Sequence, residues 1–170
     1  MAMSPPISSL SRSADAYLHL QTKRAGKAKG EATAAGYVGD IIVTGWSWGI
    51  SASSALAADK QDRRSYSVLT IHKLIDGATT GLMAAVATND EVKEAKLTLR
   101  RAGGQQEVYF TIKLGLGRVV SVSHQTDSDG FPQETVAIAF RKIDVEYQPQ
   151  QATGLRSGSM NFSDEIELPK

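Results

Sequence analysis

Histidines, paired acids and glycine-rich turns are where chemistry would begin in this 170-residue chain. His19, His72 and His124 are its three histidines. Each lies on or beside a different alternating run, and none has a carboxylate or second imidazole at a metal-ligand or triad spacing. They read as structural or surface residues. The stretch "QTDSDGF" (125–131) matches part of a calcium-loop pattern, with Asp127, Asp129 and Gly130 at the third, fifth and sixth positions. The first position is then Gln125 and the twelfth Val136, so the leading acid and the bidentate glutamate are missing. Asp and Gly there read as turn residues. "KLGLGRVV" contains Gly-x-Gly, but strand residues follow it, so no helix N-terminus is present to cradle a phosphate. It reads as a bend. "KRAGKAK" could touch phosphate, yet the cluster is short and only 6% of residues are aromatic, which argues against a base-stacking surface. No Ser/His/Asp set converges, so we nominate no catalytic, metal or cofactor-binding residue and expect no cofactor and no enzyme activity.

Composition narrows the class. Nineteen Lys+Arg against eighteen Asp+Glu leave a net charge of +1, which gives no global pull toward nucleic acid or an anionic membrane. With 41% hydrophobic and 22% charged residues the chain has an ordinary globular balance. It contains no cysteine, so neither disulfides nor thiolate metal sites exist. No apolar run approaches the roughly 20 residues of a membrane helix. The start, "MAMSPPISSLSRSADAY", lacks a basic region leading into an apolar core, so we expect no cleaved secretory signal.

The elements that would position any site are mostly strands. Residues 1–13 read as a flexible arm, and 14–170 as one domain. In "ADAYLHLQT" Ala16, Leu18 and Leu20 share one face, as a half-buried strand requires. "DIIVTGWSWGIS" reads as one strand with Ile42, Thr44, Trp46, Trp48 and Ile50 on one side. The connection Ser51 to Arg64 is longer than compact domains usually tolerate without function, which makes it an interaction loop. "SYSVLTIHKLI" reads as the returning strand. "DGATTGLMAAVATND" is the one helix, with Leu82, Met83 and Val86 as its apolar stripe and Asp76, Thr79 or Thr80 to cap it. "EAKLTLRR" and "QEVYFTIKL" flank the Gly-Gly turn "AGGQQ", and "GRVVSVSHQ" continues the sheet. In "ETVAIAFRKIDVEYQPQ" the apolar residues change phase between Phe140 and Ile143, which predicts a bulge or sharp bend near Arg141–Lys142. Pro149 ends that strand. A short apolar element surrounds Met160 and Phe162. The fold class is therefore mainly β: a small antiparallel barrel or sandwich of two packed sheets with a single helix against it.

Trp46 and Trp48 are the only tryptophans. Sharing a face with Ile42 and Ile50, they read as a structural anchor for the strand that leads into the loop, rather than as a stacking platform. A core position would make Trp48→Ala cost about 3–5 kcal/mol.

The order of these pieces carries a resemblance. "GWSWGIS", the long loop, "LTIHKLIDGATTGLMAAVATND", "AKLTLRRAGGQQEVYFTIKL", "VVSVSHQ" and "VAIAFRKIDVEYQPQ" together resemble the haemolysin-coregulated protein (Hcp) family of type VI secretion systems, from about Ala16 to Gln150. The resemblance implies a phage tail-tube-like barrel that forms a homohexameric ring, with rings stacking into a tube inside a contractile sheath. It further implies a spike (VgrG-type) protein at the tip and effector proteins carried in the lumen. The protein would be cytoplasmic before firing, and afterwards extracellular or in a target cell. On that footing Asp59, Lys60, Asp62 and Arg63 are expected to contact neighbouring subunits or rings. The polar faces Lys96, Thr98, Arg100 and Tyr109, Thr111, Lys113 are the candidates for the lumen wall. A monomeric or dimeric ligand-binding β-barrel is the alternative.

Overall fold

A computed structural model describes residues 15–54, 64–101, 107–149 and 158–167. The arm at 1–13, the loop tip with Asp59, Lys60, Asp62 and Arg63, and the Gly-Gly turn at 102–106 lie outside the described residues. The elements run β1 (Ala16–Thr22), β2 (Gly26–Lys27), β3 (Ile41–Ile42), β4 (Gly45–Ser47), β5 (Ile50–Ala52), β6 (Arg64–Tyr66), β7 (Leu69–Lys73), α1 (Thr79–Thr88), β8 (Glu91–Arg100), β9 (Val108–Gly115), β10 (Gly117–Thr126), β11 (Pro132–Ala139), β12 (Lys142–Tyr147) and β13 (Met160–Glu165). The fold is mainly β, a curled antiparallel sheet with one helix, as expected.

β8 is the hub. One edge pairs with β1 from Ala16↔Leu99 to Thr22↔Val92. Its other edge serves two strands: β9 along Ala95↔Leu114 to Arg100↔Val108, and β10 at Gly117↔Val92 and Arg118↔Glu91. The sheet divides there into two lobes, one continuing β9-β12-β13 and the other β10-β11-β7-β4. Between them lies one core, in which Leu20, Ile41, Ile71, Leu97, Ile112 and Ile138 have no exposed surface. Among the described residues β13 pairs on one side only, with β12, and ends the sheet; its Met160 and Phe162 are 65% and 44% exposed.

Three local readings change. The run 40–51 is not one strand, because the chain changes partners inside it. β3 pairs with β1, and Val43 N–H still reaches Ala16 O at 3.0 Å, whereas Thr44 N–H bonds His72 O at 2.9 Å and β4 pairs with β7. The transfer resets the alternation: Ile41 and Val43 are buried, Ile42 and Ile50 are about half exposed, and Trp46 and Trp48 are only half buried. The run 65–75 divides likewise into β6, which pairs with β5, and β7, which pairs with β4 and β11. In α1 the face toward β10 carries Thr79, Leu82 and Ala85, at spacings of three, so Met83 and Val86 point to solvent. No side chain caps its Ala78 end directly. Instead Ala78 N–H donates to Asp76 Oδ1 at 2.9 Å, Asp76 N–H donates to Thr79 Oγ1 at 3.0 Å, and left-handed Asn89 closes the other end.

The predicted phase change is a bend. β11 ends at Ala139 on partners β10 and β7, and β12 starts at Lys142 on partners β9 and β13. Phe140 and Ile143 both stay buried because the chain turns a corner between them. "KLGLGRVV" is the bend its glycines suggested: Leu116 has φ +51°, and a Cβ on Gly117 would lie 2.8 Å from Ala139 O. "QTDSDGF" is a turn, with Asp127 Oδ1 accepting the N–H groups of Asp129 and Phe131.

Candidate functional site

Of the residues proposed for a polar face, Lys96, Thr98, Thr111 and Lys113 converge. β1, β8, β9, β12 and β13 bring them into cross-strand rows on the side of the sheet away from the core. One row runs His19, Lys96, Lys113, Asp144, Ser163 and the next Tyr17, Thr98, Thr111, Glu146, Asn161. Lys96 and Lys113 are exposed and directly opposite each other, a like-charge arrangement that costs stability. The row turns acidic at Asp144, whose Oδ1 accepts Ser163 Oγ–H at 2.5 Å. Tyr109 lies under the guanidinium of Arg101 at 4.8 Å.

Arg100 does not share that exposure. A register shift follows Leu99, and Arg100 is only 7% exposed. Its guanidinium lies 5.0 and 4.9 Å from the rings of Tyr17 and Tyr37, which are themselves stacked at 4.6 Å. Nη2 donates to Asp15 Oδ2 at 2.9 Å and to Tyr17 Oη at 3.2 Å, while Nε has no partner among the described residues. Burial pushes the Tyr37 phenol up from its ordinary value, against the opposing pull of the Arg100 cation. Thr98 is 5% exposed, so the accessible part of the face is Lys96, Lys113, Thr111 and Tyr109.

The histidines are held singly. His19 Nδ1 lies 3.1 Å from Asp40 Oδ1, to which Lys27 Nζ is also bridged, and His72 Nδ1 lies 3.2 Å from Thr135 Oγ1. His124 Nε2 lies 3.0 Å from Glu134 Oε2. Among the described residues no group of three or more His, Cys, Asp or Glu side chains could hold a metal ion, and no helix is long and apolar enough to cross a membrane.

Two ionic clusters went unread in the sequence. At the start of α1, Lys73 and Glu134 have no exposed surface and lie 2.8 Å apart. Lys73 also reaches Asp76 at 2.8 Å, and Thr79 Oγ1–H donates to Glu134 Oε2 at 2.7 Å. Burial disfavours the Glu134 carboxylate, but hydrogen bonds from Lys73, Thr79 and His124 outweigh it and hold the group below its ordinary value. Lys73 shares the phase of Leu69 and Ile71, and Glu134 that of Val136 and Ile138; opposite charges in core phase on neighbouring strands were the available signal. At the stem of the long loop, Asp164 takes Arg64 Nε at 2.5 Å and Tyr66 O–H at 2.6 Å. Trp46 stacks on Phe110 at 6.0 Å, and Trp48 on Tyr66 at 6.3 Å. The tryptophans thus flank the root of the stem, packed against the core without being inside it.

A curled antiparallel β-barrel with a single helix and a registered polar face defines the class of fold. The sequence comparison carries this further. The family model described as "Type VI secretion system effector, Hcp" matches residues 17–147, and the chain belongs to that family. This is a family of structural secretion-system proteins, not of enzymes. The chain is similar to Protein hcp1 of Pseudomonas aeruginosa, with 37% identity over 93 residues, 53% of this chain and 57% of that relative. The matched stretch thus spans little more than half of the relative's length. Solved structures share the fold. One described as a type six secretion system protein superposes with TM-score 0.76 at 23% identity, covering 89% of this chain and 95% of that one. The Hcp1 protein from E. coli does so with TM-score 0.73 at 22% identity, covering 90% and 99%. The secreted protein Hcp3 from Pseudomonas aeruginosa gives 0.68 at 18% identity, covering 91% and 99%.

Proposed function

We propose that this chain is the building block of a type VI secretion inner tube. It forms homohexameric rings that stack, are expelled with a spike protein by a contractile sheath, and carry effectors in the lumen. The observation that carries the reading is the family match across 17–147, which runs from β1 through the last residue of β12. The geometry supports it in two ways. The barrel interior is packed with side chains such as Leu20, Leu97 and Ile112, as the wall of a structural tube requires. The outer face of β1-β8-β9-β12 is polar and registered, as a wall lining a water-filled channel must be. A closed ring also needs a head-to-tail contact on a different surface from that wall. The segment with Asp59, Lys60, Asp62 and Arg63 is the part we assign to that contact or to the next ring.

Native mass spectrometry with negative-stain imaging of the purified chain tests this: a six-membered ring is expected, and a monomer or dimer at all concentrations would overturn it. Deleting residues 59–63 should abolish tubes while the barrel still folds. Lys96→Glu with Lys113→Glu should change effector retention and leave rings intact; loss of the rings would remove these residues from the lumen wall.

A further inference from the structure

β13 breaks its own pattern at one position. Met160, Phe162 and Asp164 share one side of the strand, opposite Tyr147, Val145 and Ile143, and Ile143 is 1% exposed. A hydrophobe is expected at the position beside Ile143, and a carboxylate there is costly unless it is partnered. Asp164 takes its partners from outside its own sheet. Arg64 grips it twice, through Nε at 2.5 Å to Oδ2 and through Nη2 at 3.3 Å to Oδ1, and Tyr66 O–H donates to Oδ2 at 2.6 Å. Arg64 Nη2 also donates to Glu165 O at 3.3 Å, while Glu165 N–H donates to Asp164 Oδ1 at 2.9 Å.

Both donors belong to β6, half of the small β5–β6 hairpin. That hairpin follows β4, at one end of the sheet path, and Asp164 sits on β13, at the other end. The contact therefore joins the two ends of the curled sheet. Among the described residues the hairpin has the pairs Ile50↔Tyr66, Ser51↔Ser65 and Ala52↔Arg64, extended by Ser67 N–H donating to Gly49 O at 3.0 Å, and all of 50–52 is exposed. A two-stranded element of that size is marginal alone, so its direction must be imposed from outside. Among the described residues the imposed contacts include the Trp48–Tyr66 stack, an edge contact of Tyr66 with Phe140 at 5.7 Å, and the Asp164 grip.

We propose that Asp164 is a positioning residue for assembly: with Arg64 and Tyr66 it fixes the direction in which the β5–β6 stem leaves the barrel, and ring formation depends on that direction. The proposal rests on the tube reading. A stem already held in place spends no ordering entropy when subunits join, and a closed ring multiplies any such saving over every subunit.

The test uses the absence of native cysteine. Spin labels at Ala52→Cys and Asn161→Cys report the distance between stem and β13 in the full chain, and sedimentation gives the concentration of half-assembly. Asp164→Asn should broaden the distance distribution and raise that concentration on the order of tenfold or more, as losing charge-assisted hydrogen bonds implies. Circular dichroism should show the barrel folded. The exchanged pair Arg64→Asp with Asp164→Arg should recover part of both effects. Should Asp164→Asn fail to fold, Tyr66→Phe, which removes a single oxygen, should give the same changes in smaller measure. An unchanged half-assembly concentration, or weakened assembly with an unchanged distance distribution, would overturn the proposal. A native chain that never forms rings would instead overturn the tube reading, and the distance measurement would still decide whether Asp164 orders the stem.

Discussion

Two acids, Glu134 and Asp164, each gather several donors, and their settings differ in nearly every respect. Glu134 and Lys73 are wholly enclosed where α1, β7, β10 and β11 meet, whereas the Asp164 and Arg64 side chains are 23% and 38% exposed at the sheet seam. Around Glu134 every donor comes from an element already fixed by the core: Lys73 from β7, Thr79 from α1, His124 from β10. Around Asp164 the side-chain donors, Arg64 and Tyr66, come from the small, exposed β5–β6 hairpin. The first cluster is therefore a matter of stability and the second a matter of direction. The two can be separated by experiment.

The largest effect should come from Lys73→Met. It leaves Glu134 charged and enclosed without its cation, and should cost about 3–5 kcal/mol in denaturant unfolding. Adding Glu134→Leu should return much of that loss, because the penalty lies in the unpaired charge; a double variant no better than the single would count against this account. Next is Trp48→Ala. Because Trp48 is half buried and stacked on Tyr66 rather than inside the core, the loss should be about 2 kcal/mol, below the 3–5 kcal/mol of a core tryptophan.

Smaller still is Tyr66→Phe, at about 1 kcal/mol for one hydrogen bond. Its signature is pH dependence. Burial, then the hydrogen bond to Asp164, pushes the Tyr66 phenol from 10.0 up to about 12. A raised folded pKa means that the neutral phenol's contribution is complete below pH 10 and is lost as pH rises toward 12. Alkaline unfolding of the native chain should steepen in that window, and Tyr66→Phe should flatten it. Asp164 shifts the other way: the Tyr66 hydrogen bond, then the Arg64 contact, lower its pKa against the opposing effect of burial, so its share is lost as pH falls through the folded value. The smallest effect is that of salt. Going from about 0.1 to 1 M shortens the screening length from about 10 to 3 Å. The coupling of Arg64 to Asp164 in a double-mutant cycle should shrink accordingly, and that of Lys73 to Glu134 should hardly change.

Much of the barrel was legible because its long strands obey one periodicity. Ala16, Leu18 and Leu20 are buried in β1 as their alternation required, and the phase change at Arg141 marked a true corner. The reading failed where a strand changes partner without a turn residue to announce it. Between Val43 and Thr44 nothing in the side chains signals the transfer from β1 to β7, so the faces of Ile42, Trp46 and Trp48 were carried on one residue too far. The polar rows were partly legible: parity groups Lys96 with Thr98 and Lys113 with Thr111, but only the register puts Lys96 opposite Lys113. Arg100 escaped because its burial is made by Tyr17 and Tyr37, residues distant in sequence. Glu134 and Lys73 were visible in principle, as charges standing in core phase.

Among the described residues β13 is paired on one side only, which bears on handling the isolated chain. A terminal strand offers a row of unpaired N–H and C=O groups to any other chain, and exposed Met160 and Phe162 give that row an adhesive side. Its protection against indiscriminate sheet growth is chemical: exposed Glu165 places a carboxylate at the end of the strand, so identical edges brought together meet like charge there. Glu165→Gln removes that repulsion while leaving the sticky side chains in place, so concentrated stocks of this variant should associate edge to edge more readily than those of the native chain.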